Sequence, residues 1–199
     1  MRALSERRGF VRYKAWWAAL VVPVLALSSG CADPAPEAAA PPSAPSVATS
    51  STFNGTDVAW IQLMIPMTEQ LVPLLEIAAE RASSAPLRDL SARLRDTHRA
   101  EAVELRALLA RTGLPDTNPH EGHNMPGMVT PDEVTTLAQA QGAAFDEGVT
   151  TSLRDYLAQV AMISGSESEV GTDPQTTALA ARIAASREQD LAALEKAAT

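Results

Sequence analysis

The chain has 199 residues, 24 acidic against 16 basic side chains, a net charge of −8, and a single cysteine. The acidity disfavours a nucleic-acid partner, and one cysteine excludes an internal disulfide.

Met1 to Lys14 carries Arg2, Arg7, Arg8, Arg12 and Lys14 against Glu6, and an apolar run from Ala15 to Leu27 follows. That order is the charged and apolar parts of a signal peptide. Thirteen residues at about 1.5 Å each span roughly 20 Å, short of the ~30 Å hydrocarbon core, and Pro23 interrupts them. A permanent transmembrane span is therefore not expected. Leu27-Ser28-Ser29-Gly30-Cys31 comes next and resembles the lipobox of bacterial lipoproteins, which implies that residues 1–31 are a lipoprotein signal, that Cys31 receives the lipid, and that the mature chain is anchored to the outer face of the cell membrane in the cell envelope. Ser28 stands where the pattern usually has leucine. The alternative is an ordinary cleaved signal with an incidental cysteine, which would release the protein.

Residues 32–52 hold five prolines among alanines and serines and cannot bury a core. They read as a tether, extended at about 3.1 Å per residue. Residues 1–31 contain five of the basic residues and one acid, so the mature chain keeps 11 basic and 23 acidic side chains and a net charge of −12. Residues 53–199 have the size of one domain.

Within that domain apolar residues recur at helical spacing and no stretch alternates as a strand would. The first helix is expected from about Asp57 to Arg81, with Asn54 to Asp57 supplying caps and Pro66 and Pro73 each removing a backbone hydrogen bond. A second starts at Ser84-Ala85-Pro86, buries Leu87, Leu90, Leu94, Leu105, Leu108 and Leu109, and stops at Gly113. Thr130-Pro131-Asp132-Glu133 starts a short helix in the connector, ending near Gln141. Two more helices run from Gly142 to about Ser164 and from Pro174 to about Ala197. Residues 53–110 and 142–199 align without gaps at an offset of 89, pairing Asp57 with Asp146, Gln70 with Gln159, Leu90 with Leu179 and Leu105 with Leu194. The expected architecture is all-α, an antiparallel four-helix bundle made of two repeated hairpins with a short extra helix.

Phe53-Asn54, Asp57-Val58, Met64-Ile65-Pro66, Met125-Pro126-Gly127-Met128 and Gly142-Ala143-Ala144-Phe145-Asp146 resemble the ferritin-like family described as domain of unknown function 305. The resemblance spans the mature domain and implies an exported helical protein with a copper or silver chemistry based on histidine and methionine. The family pattern has a His-His pair after Met-Ile-Pro and another in the second half, each followed by a methionine. Here those places hold Met67 and Thr68, then Tyr156 and Leu157, with Leu74 and Ile163 downstream. In the second helix of each half, Gln-x-x-Glu and a methionine are replaced by His98, Glu101 and Leu105, and by Arg187, Asp190 and Leu194.

Leucine, isoleucine and threonine cannot replace imidazole and thioether ligands for soft metals, so the family's core site is expected to be degenerate. His98 and Glu101, three apart on one helix, form a secondary metal candidate, although a surface-facing pair beside Arg95 and Arg99 is the favoured expectation. Met64, Met67 and Met162 are expected to pack in the core. The segment from His120 to Met128 gathers His120, His123, Met125 and Met128, a set suited to Cu(I) or Ag(I). The alternative is a connector whose methionines pack over the bundle.

The sequence contains no serine-histidine-acid set, no phosphate-cradling glycine loop and no paired Glu-x-x-His motif, so an enzyme is not expected. The leading expectation is a non-enzymatic envelope lipoprotein that meets an envelope protein partner, with a copper- or silver-sequestering protein acting through residues 120–128 as the alternative.

Overall fold

The computed structural model describes residues 52–197, which form α1 (Gly55–Arg81), α2 (Ala85–Thr112), α3 (Pro131–Gln139), α4 (Gly142–Val170) and α5 (Pro174–Ala197). The signal segment, Cys31 and the tether through residue 51 lie outside the described residues. No strand occurs among the described residues. α1 packs along α2 and α4 along α5, and the two hairpins join through α1 against α4 and α2 against α5.

Local chemistry sets the helix ends. Asn54 caps α1 by accepting from the Thr56 and Asp57 amides at 2.8 and 2.9 Å, while Asp57 accepts the Asn54 amide at 2.6 Å, a closed capping box. The Thr130 hydroxyl accepts the Glu133 amide at 3.2 Å to start α3, and Gly113 ends α2 with φ 74°. α1 continues through both Pro66 and Pro73. α4 runs to Val170, past the Ser164-Gly165-Ser166 run at which the sequence suggested it would end. Tertiary contact overrides the weak local propensity there: Ser164 is buried and accepts the Trp60 indole N–H at 3.3 Å, and Glu167, one turn on, is buried too.

The repeat is physical. Asp146, near the start of α4, accepts the Ser83 and Ser84 amides at 2.9 and 3.0 Å, closing the turn between α1 and α2. Asp57, near the start of α1, accepts the Thr172 and Asp173 amides at 3.1 and 3.2 Å, closing the turn between α4 and α5. Ser83 and Thr172, like Ser84 and Asp173, are 89 positions apart. Each hairpin's first helix therefore supplies the acceptor that the other hairpin's turn lacks, and this reciprocal tie places α1 antiparallel to α4.

The apolar stripes of the four long helices meet in one core that includes Ile61, Met64, Leu71, Leu75, Leu94, Leu105, Val149, Leu153, Val160 and Ile183. α1 is long and apolar enough to span a membrane by composition, and its apolar positions face this core. α3 is held at its end by Arg81, which donates to the Ala138 and Ala140 carbonyls at 2.8 and 2.9 Å.

The connector presses on α4 at Gly127. That residue has φ 74°, and a Cβ there would stand 2.6 Å from Gln159 Cβ and 2.9 Å from the Asp155 carbonyl oxygen. Only glycine offers both the left-handed backbone and the clearance. The contact delivers the next residue, Met128, into the core, where it is buried with Val129. Gly127→Ala is expected to destabilise the domain by about 2–4 kcal/mol, combining left-handed strain with overpacking, measured as a lower urea midpoint with an unchanged helical spectrum before unfolding.

Candidate functional site at the bundle centre

Eight residues that the sequence analysis singled out, two from each long helix, converge in the middle of the bundle. Met67 and Thr68 come from α1, His98 and Glu101 from α2, Tyr156 and Leu157 from α4, and Arg187 and Asp190 from α5, and all eight are buried. His98 and Glu101 are thus core residues, not the surface pair expected beside Arg95 and Arg99. The sequence carried no sign of this because the partner that makes burial tolerable, Arg187, lies 86 residues after Glu101.

Arg187 has no exposed surface and forms an ion pair with Glu101, with Asp190 3.7 Å away on the same helix. Burial pulls the guanidinium down, and Tyr156, Glu101 and Asp190 together hold it above the ordinary arginine value. Burial pushes Glu101 and Asp190 upward, opposed in each case by Arg187. Arg93, from α2, reaches Asp190 at 3.8 Å from the outside. One fixed cation and two carboxylates, the outer one shared with a second arginine, leave the cluster with no surplus negative charge.

His98 completes the centre as a neutral ring. Its Nδ1 lies 2.7 Å from the Leu94 carbonyl, which can only accept, so Nδ1 carries the hydrogen and Nε2 keeps its lone pair. Burial, aided by the Arg187 charge, lowers its pKa to about 3. The ring stands 5.4 Å from that of Tyr156, whose hydroxyl is raised to about 12 by burial. Among the described residues no group of three or more His, Cys, Asp or Glu side chains could hold a metal ion. A fully buried guanidinium in the same cluster repels a cation as well, so the residues present do not fit a copper or silver ion at the bundle centre.

The connector disperses the other candidates. His120 is half-buried and lines an apolar groove of about 410 Å³ with Trp60, Leu63, Ile163 and Glu167. His123 is exposed, its ring edge-on to that of His120 with centroids 6.1 Å apart. Met125 is half-buried against the core and Met128 is buried within it, both beside Glu133, Ser152 and Asp155. The two imidazoles are brought together while the Met128 thioether is consumed by packing. Met64 and Met67 are buried as expected, whereas Met162 is 60% exposed and is not a core residue: it lies on the outer face of α4, between the inward-facing Val160 and Ser164.

A second buried cluster escaped the sequence reading. Glu167 of α4 lies against Asp57 with almost no exposed surface, and Gly171 sits so close to both that a Cβ there would meet Glu167 Oε1 at 2.2 Å and Asp57 Oδ1 at 2.7 Å. Asp57 is pushed up by burial but held below the usual carboxylate range by amides of Asn54, Thr172 and Asp173 and by Glu167. Burial and Asp57 raise Glu167 to about 8. At neutral pH Glu167 is thus the protonated member of the pair and Asp57 the ionised one. The repeat offered no hint, because the equivalent position in the first half is Ala78.

The profile of the family described as "Domain of unknown function (DUF305)" matches residues 57–198. The fold is shared with a DUF305 fragment from Deinococcus radiodurans, at a TM-score of 0.66 and 19% identity, covering 73% of this chain and 97% of that one. It is shared with a putative secreted DUF305 protein from Streptomyces coelicolor, at 0.63 and 18%, covering 71% and 90%. It is also shared with CopM in its Cu(I)-bound form, at 0.61 and 18%, covering 72% and 95%. No curated protein matches the chain.

The raised Glu167 carboxyl makes stability pH-dependent in a defined direction. Glu167 is raised in the folded state, so its contribution is complete below the unfolded carboxyl value near 4.5 and is lost as pH rises through about 8. Asp57 is lowered, so its contribution is lost only in acid. Thermal midpoints of residues 32–199 should fall between pH 5 and 9, and Glu167→Gln, which keeps a donor and cannot ionise, should flatten that fall. A pH profile of the Glu167→Gln variant as steep as the parent's would overturn the assignment.

Proposed function

Because the chain belongs to the DUF305 family, we propose that it is an exported, lipid-anchored, non-enzymatic member whose core metal site has been replaced by a structural ion pair, leaving a binding module that works through a protein partner in the envelope. The observation that carries this reading is Arg187, buried without exposure and paired with Glu101 at the bundle centre. Removing the positive charge alone would strand Glu101, and breaking one side of a buried pair costs about 3–5 kcal/mol, so the centre does not revert to an open site by a small adjustment. The charged, apolar and small-residue order that ends in Cys31 supports the anchor. The net charge of the mature chain argues against nucleic acid.

A second reading has its own observation. His120 and His123 stand edge-on in the connector with His123 exposed, and the CopM relatives are described in Cu(I)-, Cu(II)- and Ag-bound forms. In that reading the chain binds Cu(I) or Ag(I) through His120 and His123 with Met125 as the available thioether, since Met128 is buried.

The anchor is tested by mass spectrometry of the membrane fraction: a mature N-terminus at lipidated Cys31 is expected, and Cys31→Ala should shift the protein to the soluble fraction. An unmodified Cys31, or membrane association that survives the substitution, sinks the anchor. The two functional readings are separated by competitive Cu(I) and Ag(I) titration of residues 32–199. The leading reading expects no binding tighter than that of an unrelated acidic helical protein. The second expects competitive binding that disappears when His120 and His123 are both replaced by alanine. Tight binding that survives the double substitution would overturn both.

A further inference from the structure

The face of α1 turned toward the connector carries two prolines seven residues apart, Pro66 and Pro73. Neither has an amide hydrogen, so the Gln62 and Glu69 carbonyls, four residues earlier, have no helical donor. Positions 62, 66, 69 and 73 share one helix face, and all four line a groove of about 630 Å³ whose far side is Arg106 of α2, connector residues 116–118 and the first turn of α3. That volume lies in the range of small-molecule sites.

The chemistry of the groove is one-sided. Its apolar surface comes from Ile65, Pro66, Pro73 and Val134. The Gln70 side-chain oxygen at its edge is buried and finds no protein donor, a third acceptor beside the two carbonyls. Arg106 is fully engaged: Nε and Nη2 donate to Glu69 at 2.7 and 2.9 Å, and Nη1 donates to Asp116. Two carboxylates around one guanidinium leave a net negative charge. Asp132 and Glu133, in the first turn of α3, offset the positive end of that helix, which also borders the groove.

Seven helical residues separate the two freed carbonyls by about 10 Å along the axis. A ligand that satisfies both and covers the apolar strip between them needs N–H donors at two ends, positive charge, and a methylene chain between. We propose that this groove is a binding site for an elongated aliphatic amine, its chain lying on Ile65, Pro66, Pro73 and Val134 and its ammonium ends at the Gln62 and Glu69 carbonyls. The site is separate from the bundle centre and from the histidines of the connector, and it does not depend on either reading above.

Amide chemical shifts of residues 32–199, titrated with spermidine and with heptamethylenediamine, test it. Saturable shifts confined to 62–73, 116–118 and 131–134 are expected. Putrescine, too short to reach both carbonyls, and heptanediol, which lacks the charge, should each bind at least about fivefold more weakly. Val134→Trp fills the groove and should abolish the localised shifts. Pro73→Ala restores an amide opposite the Glu69 carbonyl, so it should raise the thermal midpoint by improving the helix and still weaken both amines about fivefold. This variant keeps the test valid if the tryptophan variant fails to fold. Shifts spread over the acidic surface without saturation, or affinities unchanged in Pro73→Ala, overturn the proposal.

Discussion

A guanidinium without exposed surface must be neutralised where it sits, and Arg187 imposes that requirement on the middle of the bundle. Glu101 must reach it across the boundary between the hairpins, Asp190 must stay within range on its own helix, and His98 must remain neutral beside it. An isolated buried charge would be too destabilising to retain, so the positions that meet at the centre are bound to one another. The same charge that organises the core repels a soft cation. In this chain the centre of the DUF305 fold is thus occupied by an ion pair.

Around this centre the halves hold each other by exchange. Asp57 closes the turn of the second hairpin and Asp146 the turn of the first, so neither hairpin has a complete set of turn hydrogen bonds alone. These exchanged hydrogen bonds tie the association of the hairpins to the closing of each turn. The symmetry ends at Glu167. Its counterpart is Ala78, so one end of the bundle carries a buried carboxyl, raised by its burial and by Asp57, that has no equivalent at the other end.

The connector shows how a motif can be structural and still leave chemistry behind. Gly127 allows the chain to press against Gln159 and Asp155, and that approach buries Met128. His120, half-buried, and His123, exposed, are not used by this packing and stand edge-on to one another. A compositional cluster of two imidazoles and two thioethers in the sequence is therefore divided in space between core filling and a pair of histidines outside the core.

The sequence by itself determined the helices, their order and most of their ends, because apolar periodicity, Asn54, Thr130, Pro131 and Gly113 act within a few residues of where they stand. It also determined the two-hairpin plan, since a repeat at offset 89 carries Asp57 and Asp146 to equivalent places. The absence of paired histidines from the helices was legible too, as residue identities. Only the tertiary structure decided which side chains meet. Pairs such as His98 with Tyr156, Glu101 with Arg187, and Asp57 with Glu167 join helices separated by 58 to 110 positions. Whether a polar residue on a helix faces water or the core depends on a partner that no local pattern encodes. For that reason His98 and Glu101 read as a solvated pair, Met162 read as core, and α4 read as ending at Ser164, until the contacts across the bundle placed them.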